Sequence, residues 1–210
     1  MKKTTLLFAT AALLSIASIS NAQDSQDEHC FRAGSSGINL GVGIGNTIVY
    51  DNGYGGYAGF SPAFTASYEY GIAHAGIGTI GAGIQFGFQG SEYTYANGNG
   101  YVAKERWTTL AFSPRATYHF DVLTRRKIDF YPIVQLNVYS YGYSYTETGY
   151  YKNGQVVNRY TPANANSVGI YPSVLIAVRY FVTPNFGFYS ELGYDITIIK
   201  AGFTFKFGGN

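Results

Sequence analysis

From Gly37 onward, apolar and small or polar residues alternate one by one, and a period of two is the period at which a β-strand sends side chains to opposite faces. Ile38, Leu40, Val42 and Ile44 alternate with Asn39, Gly41, Gly43 and Gly45. Phe64, Ala66, Tyr68, Tyr70 and Ile72 alternate with Thr65, Ser67, Glu69 and Gly71. Six further segments of the same kind are led by Ile80, Leu110, Phe130, Val168, Phe186 and Ala201. The connections are short at residues 74–76, 121–127 and 182–185 and long at 51–57, 91–105 and 143–166, with a short final link around Asp195 that breaks the trend. The expected fold is all-β: an eight-stranded antiparallel up-and-down barrel.

Alternation alone does not say which face is inside. A soluble barrel would carry its apolar face inward and cover the outside with charge, roughly 25–35% of it. Only 12% of this chain is charged, and the second face is mostly Gly, Ala, Ser, Thr, Asn and Gln. Small residues suit the crowded interior of an eight-stranded barrel, which is only wide enough for its own side chains. The apolar face therefore points outward, to lipid, and the fold is read as a transmembrane β-barrel. Glu69, Arg115, Arg179, Glu191, Lys200 and Lys206 all fall in the inward phase and are expected to form an interior network of ion pairs. Arg or Lys facing lipid costs about 2–4 kcal/mol at the bilayer midplane. Tyr70, Tyr118, Phe120, Phe130, Tyr180, Phe186 and Phe207 form an outward aromatic girdle toward the short-turn end. Pro62, Pro114, Pro132 and Pro172 fall on the apolar face, where missing ladder donors predict bulges or strand ends.

The chain begins with Lys2-Lys3, an apolar run over 6–19 and Ser20-Asn21-Ala22, the pattern of a secretory signal peptide cleaved after Ala22. The expected organisation is a signal peptide at 1–22, an N-terminal periplasmic segment at 23–36, the barrel at 37–207 and a tail at 208–210. The formal charge of +2 rests on Lys2 and Lys3, so the mature chain is neutral and a nucleic-acid surface is not expected. The single cysteine, Cys30, has no partner for an internal disulfide.

An exported chain with eight alternating strands, a small-residue interior holding acids and bases, and the end strand Gly202-Phe203-Thr204-Phe205-Lys206-Phe207 resembles the small eight-stranded outer-membrane barrels of the OmpA/OmpX type. The resemblance implies location in the outer membrane, contact with its lipids, and insertion by the barrel-assembly machinery. The insertion signal of that family usually ends on an aromatic residue, whereas Gly208-Gly209-Asn210 follows here.

Some similar barrels are lipid-modifying enzymes with His, Ser and an acid at the outer rim. His29, His74 and His119 all belong to the opposite end, so no catalytic residue is assigned. The histidines are too scattered for a metal site. Gly41-Val-Gly43 and Gly81-Ala-Gly83 keep strand phase and open no helix, so no cofactor site is expected. The long loops carry the remaining signal. Tyr141, Tyr143 and Tyr145 extend an inward tyrosine stripe from Tyr139, with Tyr150 and Tyr151 nearby. Tyrosine offers rigid amphipathic contact area, so these residues are candidates for contacting an extracellular ligand or a host surface. Asn97-Gly98-Asn99-Gly100 and Asn153-Gly154 are hairpin-turn signals that extend the strands beyond the bilayer as ribbons, and packing of these tyrosines against one another to hold the ribbons upright is the alternative. The expected role is structural or adhesin-like at the cell surface, and the competing one is a narrow channel for small or hydrophobic solutes.

Overall fold

The alternating segments pair as antiparallel strands in a computed structural model of the chain, which describes residues 30–44, 61–96, 101–121, 127–150, 156–157 and 163–208. The strands are β1 (Ser35–Ile44), β2 (Ala63–Ala75), β3 (Gly78–Ala96), β4 (Tyr101–Phe120), β5 (Ile128–Tyr150), β6 (Val156–Val157), β7 (Ala163–Thr183), β8 (Phe186–Gly193) and β9 (Ile199–Gly208). They hydrogen-bond in the order β4-β3-β2-β1-β9-β8-β7-β5, and a ladder between β4 and β5 closes the ring. Eight strands make the barrel, and β6 only pairs back on the far end of β5.

β1 begins at Ser35 and not Gly37, and β9 ends at Gly208 and not Phe207. The signal-peptide assignment, 1–22, lies outside the described residues. Residues 30–34, the described part of the N-terminal segment ahead of β1, pack at the short-turn end of the barrel. Cys30 and Phe31 are buried there, and the chain turns into β1 at Gly34, whose φ of 84° suits a residue without Cβ. Gly76 serves the tight β2–β3 turn in the same way, at φ 66°.

The wall is uneven in height. β3, β4, β5 and β7 run 19, 20, 23 and 21 residues, while β1, β8 and β9 run 10, 8 and 10. The tall strands rise past the others as a sheet at the end away from the short turns. Bulges occur at Gly71/Ala73 and Phe181/Thr183, close to those turns. None of the four prolines lies at a bulge. Pro62 precedes β2, Pro172 lies above the β7–β8 ladder, and Pro114 and Pro132 sit where the β4–β5 ladder has no pairs, while Pro114, Pro132 and Pro172 each stay in register with their other neighbouring strand.

The two faces decide the environment. Outward positions are large and apolar and stay exposed: Phe64, Phe86, Leu110, Val134, Ile176 and Phe203 are examples. The largest fully buried side chains include Arg179, Lys200, Gln85, Glu69 and Glu191. A water-soluble protein has the opposite arrangement. Among the described residues, the outward charges on the tall sheet are Glu92, Lys104 and Arg106, above the apolar band. The fold is an eight-stranded transmembrane β-barrel, turned inside out to match lipid.

Candidate functional site

The interior polar residues gather in two layers. In the layer nearer the short turns, Glu69 of β2 and Asp129 of β5 flank His119 of β4. His119 Nε2 lies 2.5 Å from Glu69 Oε1, and Nδ1 lies 2.8 Å from Asp129 Oδ1. Both ring nitrogens therefore face carboxylates, which only the doubly protonated imidazolium satisfies. Arg179 of β7 joins the same two acids, through Nη2 to Glu69 and Nη1 to Asp129 Oδ2 at 3.2 Å. Phe31 and Tyr131 sandwich this layer. Their ring centroids lie 4.1 and 4.4 Å from that of His119, and the Arg179 guanidinium sits 4.4 Å from the Tyr131 centroid.

The second layer lies at mid-height. Arg115 of β4 donates Nη1 to Glu191 Oε1 of β8 at 3.0 Å and Nη2 to Gln135 Oε1 of β5 at 2.8 Å. Lys200 of β9 reaches Glu191 Oε2 at 2.9 Å and Asp195 Oδ2 at 2.5 Å. Gln85 of β3 accepts from Lys200 and donates to Asp195, at 2.6 and 3.0 Å. Across the two layers, Glu69, Asp129, Glu191 and Asp195 face Arg115, Arg179, Lys200 and the His119 imidazolium, so the charges cancel.

Of the six residues grouped by inward phase, the structure brings together Glu69 with Arg179, and Glu191 with Arg115 and Lys200. Lys206 is corrected: it takes part in neither layer, and its ammonium lies over the Phe181 ring at 5.7 Å. It stands too near the short-turn end, opposite Gly37 in the β1–β9 ladder, to reach the acids. Asp129 and Asp195 were not singled out. Asp129 has the right phase beside Phe130, whereas Asp195 was hidden in a link that resembles an ordinary turn.

That link shapes the other end of the lumen. Tyr194 to Ile198 bends inward between β8 and β9, and Asp195 Oδ1 accepts from the Thr197 N–H at 2.8 Å. Ile196 drops against Ala63, Ala111 and Tyr139 as an apolar stopper. Gly43 leaves room for Thr197, since a Cβ there would collide with its side chain. Above the stopper is an open cavity of about 550 Å³. Tyr139, Tyr141, Tyr171 and Tyr194 form its walls, and Gln89 and Thr109 contribute from β3 and β4. Tyr139 is 6% exposed, Tyr171 54% and Tyr194 70%, so the aromatic lining grades from floor to rim.

The tyrosine stripe divides. Tyr141 packs beside Tyr139, 5.8 Å between centroids, and lines the cavity. Tyr143 packs on Trp107 at 5.6 Å, higher on the sheet. Tyr145 continues β5 opposite Glu105 and Ala163. Tyr150 ends β5 paired with Val156, and Tyr151 lies outside the described residues. Tyr171 and Tyr194 complete the cavity but lie outside the stripe: Tyr171 has the inward phase of β7, on a different strand, and Tyr194 ends an apolar strand.

These features define a class, a closed transmembrane barrel with a filled polar interior and a concave aromatic mouth, with the architecture of the small OmpA/OmpX-type barrels. No protein-family model matches the chain, and no curated protein matches it. Among solved structures it is similar to the attachment invasion locus protein Ail of Yersinia pestis, with 13% identity and a TM-score of 0.41 over 83% of this chain and 99% of that one. A second crystal structure of Ail, in complex with the heparin analogue sucrose octasulfate, aligns with 11% identity and a TM-score of 0.41 over the same shares.

Proposed function

We propose that this is an exported protein of the outer membrane whose filled body holds a tyrosine-lined mouth at the cell surface, where it contacts an extracellular ligand or a host surface. The observation that carries the reading is the mouth itself: a cavity of about 550 Å³ walled by four tyrosines, at the end where the tall sheet rises from the barrel. Concave, largely aromatic sites with a few polar groups are the usual form of binding pockets. In this reading the ion-paired layers are structural. They fill and stiffen the lumen so that the mouth is held rigid, and outer-membrane lipids cover the apolar wall. A narrow channel is opposed by Ile196 above and by Phe31 below, both 1% exposed. Conductance of an open porin's size in a planar bilayer would contradict the filled interior.

The test replaces Tyr141, Tyr143 and Tyr145 with Ser in cells that display the protein. Lost surface binding, with the barrel still folded and the upper sheet still resistant to protease, supports the contact reading. Retained binding, or a digested upper sheet, assigns these rings to packing.

A further inference from the structure

We propose that the mouth cavity binds a neutral oligosaccharide, an inference that rests on the surface-contact reading above and names its ligand class. A pyranose ring presents apolar C–H faces and a rim of hydroxyls. Its site therefore needs aromatic faces beside neutral donors and acceptors, and the cavity supplies both. Tyr139 and Tyr171 lie 6.0 Å apart between centroids, and Tyr141 and Tyr194 extend the aromatic surface. Among the described residues, the hydroxyls of these four tyrosines have no hydrogen-bond partner and remain available to a ligand. Gln89 is held in place by its amide N–H, donated to Ser61 O at 2.8 Å, which leaves its carbonyl oxygen as an acceptor. Thr109 adds a hydroxyl near the floor.

Charge selects against the alternatives. Among the described residues no Lys or Arg lines the cavity, so a sulfated or carboxylated sugar finds no cation among them. Among the described residues the only acid in the lining is Asp195, and it is already engaged by Lys200, Gln85 and Thr197, which disfavours a cationic ligand. The volume, about 550 Å³, lies within the usual range for small-ligand sites, roughly 300–1,000 Å³. The floor is also preorganised: Ile196 is packed among Ala63, Ala111 and Tyr139, and the bonds of Asp195 fix the link that carries it.

The experiment uses the protein purified from outer membranes in a zwitterionic detergent without a sugar headgroup. It is applied to an array of neutral, sialylated and sulfated glycans at low and high salt. The expected result is retention on neutral glycans that does not change with salt. Tyr171→Ala and Tyr194→Ala, both at exposed positions, should weaken it about tenfold or more. Thr109→Val, which removes a hydroxyl while nearly preserving shape, should weaken it without touching the aromatic walls. Heat-dependent gel mobility checks that each variant is folded. Retention on anionic glycans alone, lost at high salt, overturns the proposal, as does retention on no glycan. If no glycan is retained while cell adherence still depends on Tyr141, Tyr143 and Tyr145, only the ligand class falls. If adherence is also unaffected, the surface-contact reading falls with it.

Discussion

Arg115 on β4 and Glu191 on β8 meet across the lumen, with Nη1 3.0 Å from Oε1 and both side chains buried. The two strands are not neighbours in the sheet, so this bond ties opposite parts of the wall and sets the spacing between them. Removing one partner of a buried pair strands the other charge and costs roughly 3–5 kcal/mol. Arg115→Ala and Glu191→Ala should each lower the unfolding midpoint in urea, and the double variant should lose less than the sum of the two. Additive losses would show that the pair is not coupled.

His119 is predicted to be the residue on which the lower layer depends. His119→Phe keeps a ring between Phe31 and Tyr131 but removes both donors, leaving Asp129 to Arg179 and Glu69 to Arg179 and the Thr117 hydroxyl. The expected loss is about 3 kcal/mol, and His119→Gln should recover part of it. Midpoints from equilibrium unfolding in lipid vesicles check this, and an unchanged midpoint for His119→Phe would contradict it.

Cys30 reports on the closed lower end. Burial pushes its thiol well above the ordinary value, with the nearby Asp129 charge adding to the effect, and its Sγ donates to Ile128 O at 3.1 Å. The folded protein should therefore resist a maleimide at mildly alkaline pH and label fully once heated. Rapid labelling of the folded form would mean that the N-terminal residues do not plug the barrel.

On the tall sheet, Glu92 of β3 binds Lys104 Nζ at 2.6 Å and Arg106 Nη2 at 2.8 Å, both on β4. The hydrogen bonds from Lys104 and Arg106 hold its carboxyl below the ordinary value of 4.5. A depressed carboxyl contributes stability above its unfolded value, and that contribution is lost as pH falls through the folded one. Amide protection factors on β3 and β4 above Gln89, measured against the intrinsic rate at each pH, should fall below about pH 4.5 and in high salt, while the barrel below is unaffected. Glu92→Gln should abolish this pH dependence.

The strand pattern and the inward phase were legible because one rule, alternation, governs every residue of a lipid-facing wall. Glu69, Arg115, Arg179, Glu191 and Lys200 could be placed inside from phase alone. Which acid meets which base could not, because that depends on shear and on side-chain reach across the lumen. Lys206 shows the limit: it has the inward phase but sits at the wrong height. Phe31 and Ile196 were illegible for a different reason, since neither lies in an alternating segment and each becomes a stopper only once the wall has closed around it. The mouth cavity was half legible. Tyr139 and Tyr141 follow the stripe, but Tyr171 and Tyr194 enter from a neighbouring strand and a folded-in link.

The measurement that bears most directly on an inside-out, closed barrel is gel mobility of the outer-membrane fraction with and without boiling. The account predicts a protein confined to that fraction that migrates differently when unboiled, because the closed hydrogen-bonded ring resists detergent until heated. Recovery in the soluble periplasm with no heat-dependent shift would contradict it and would mean that the apolar face covers something other than lipid.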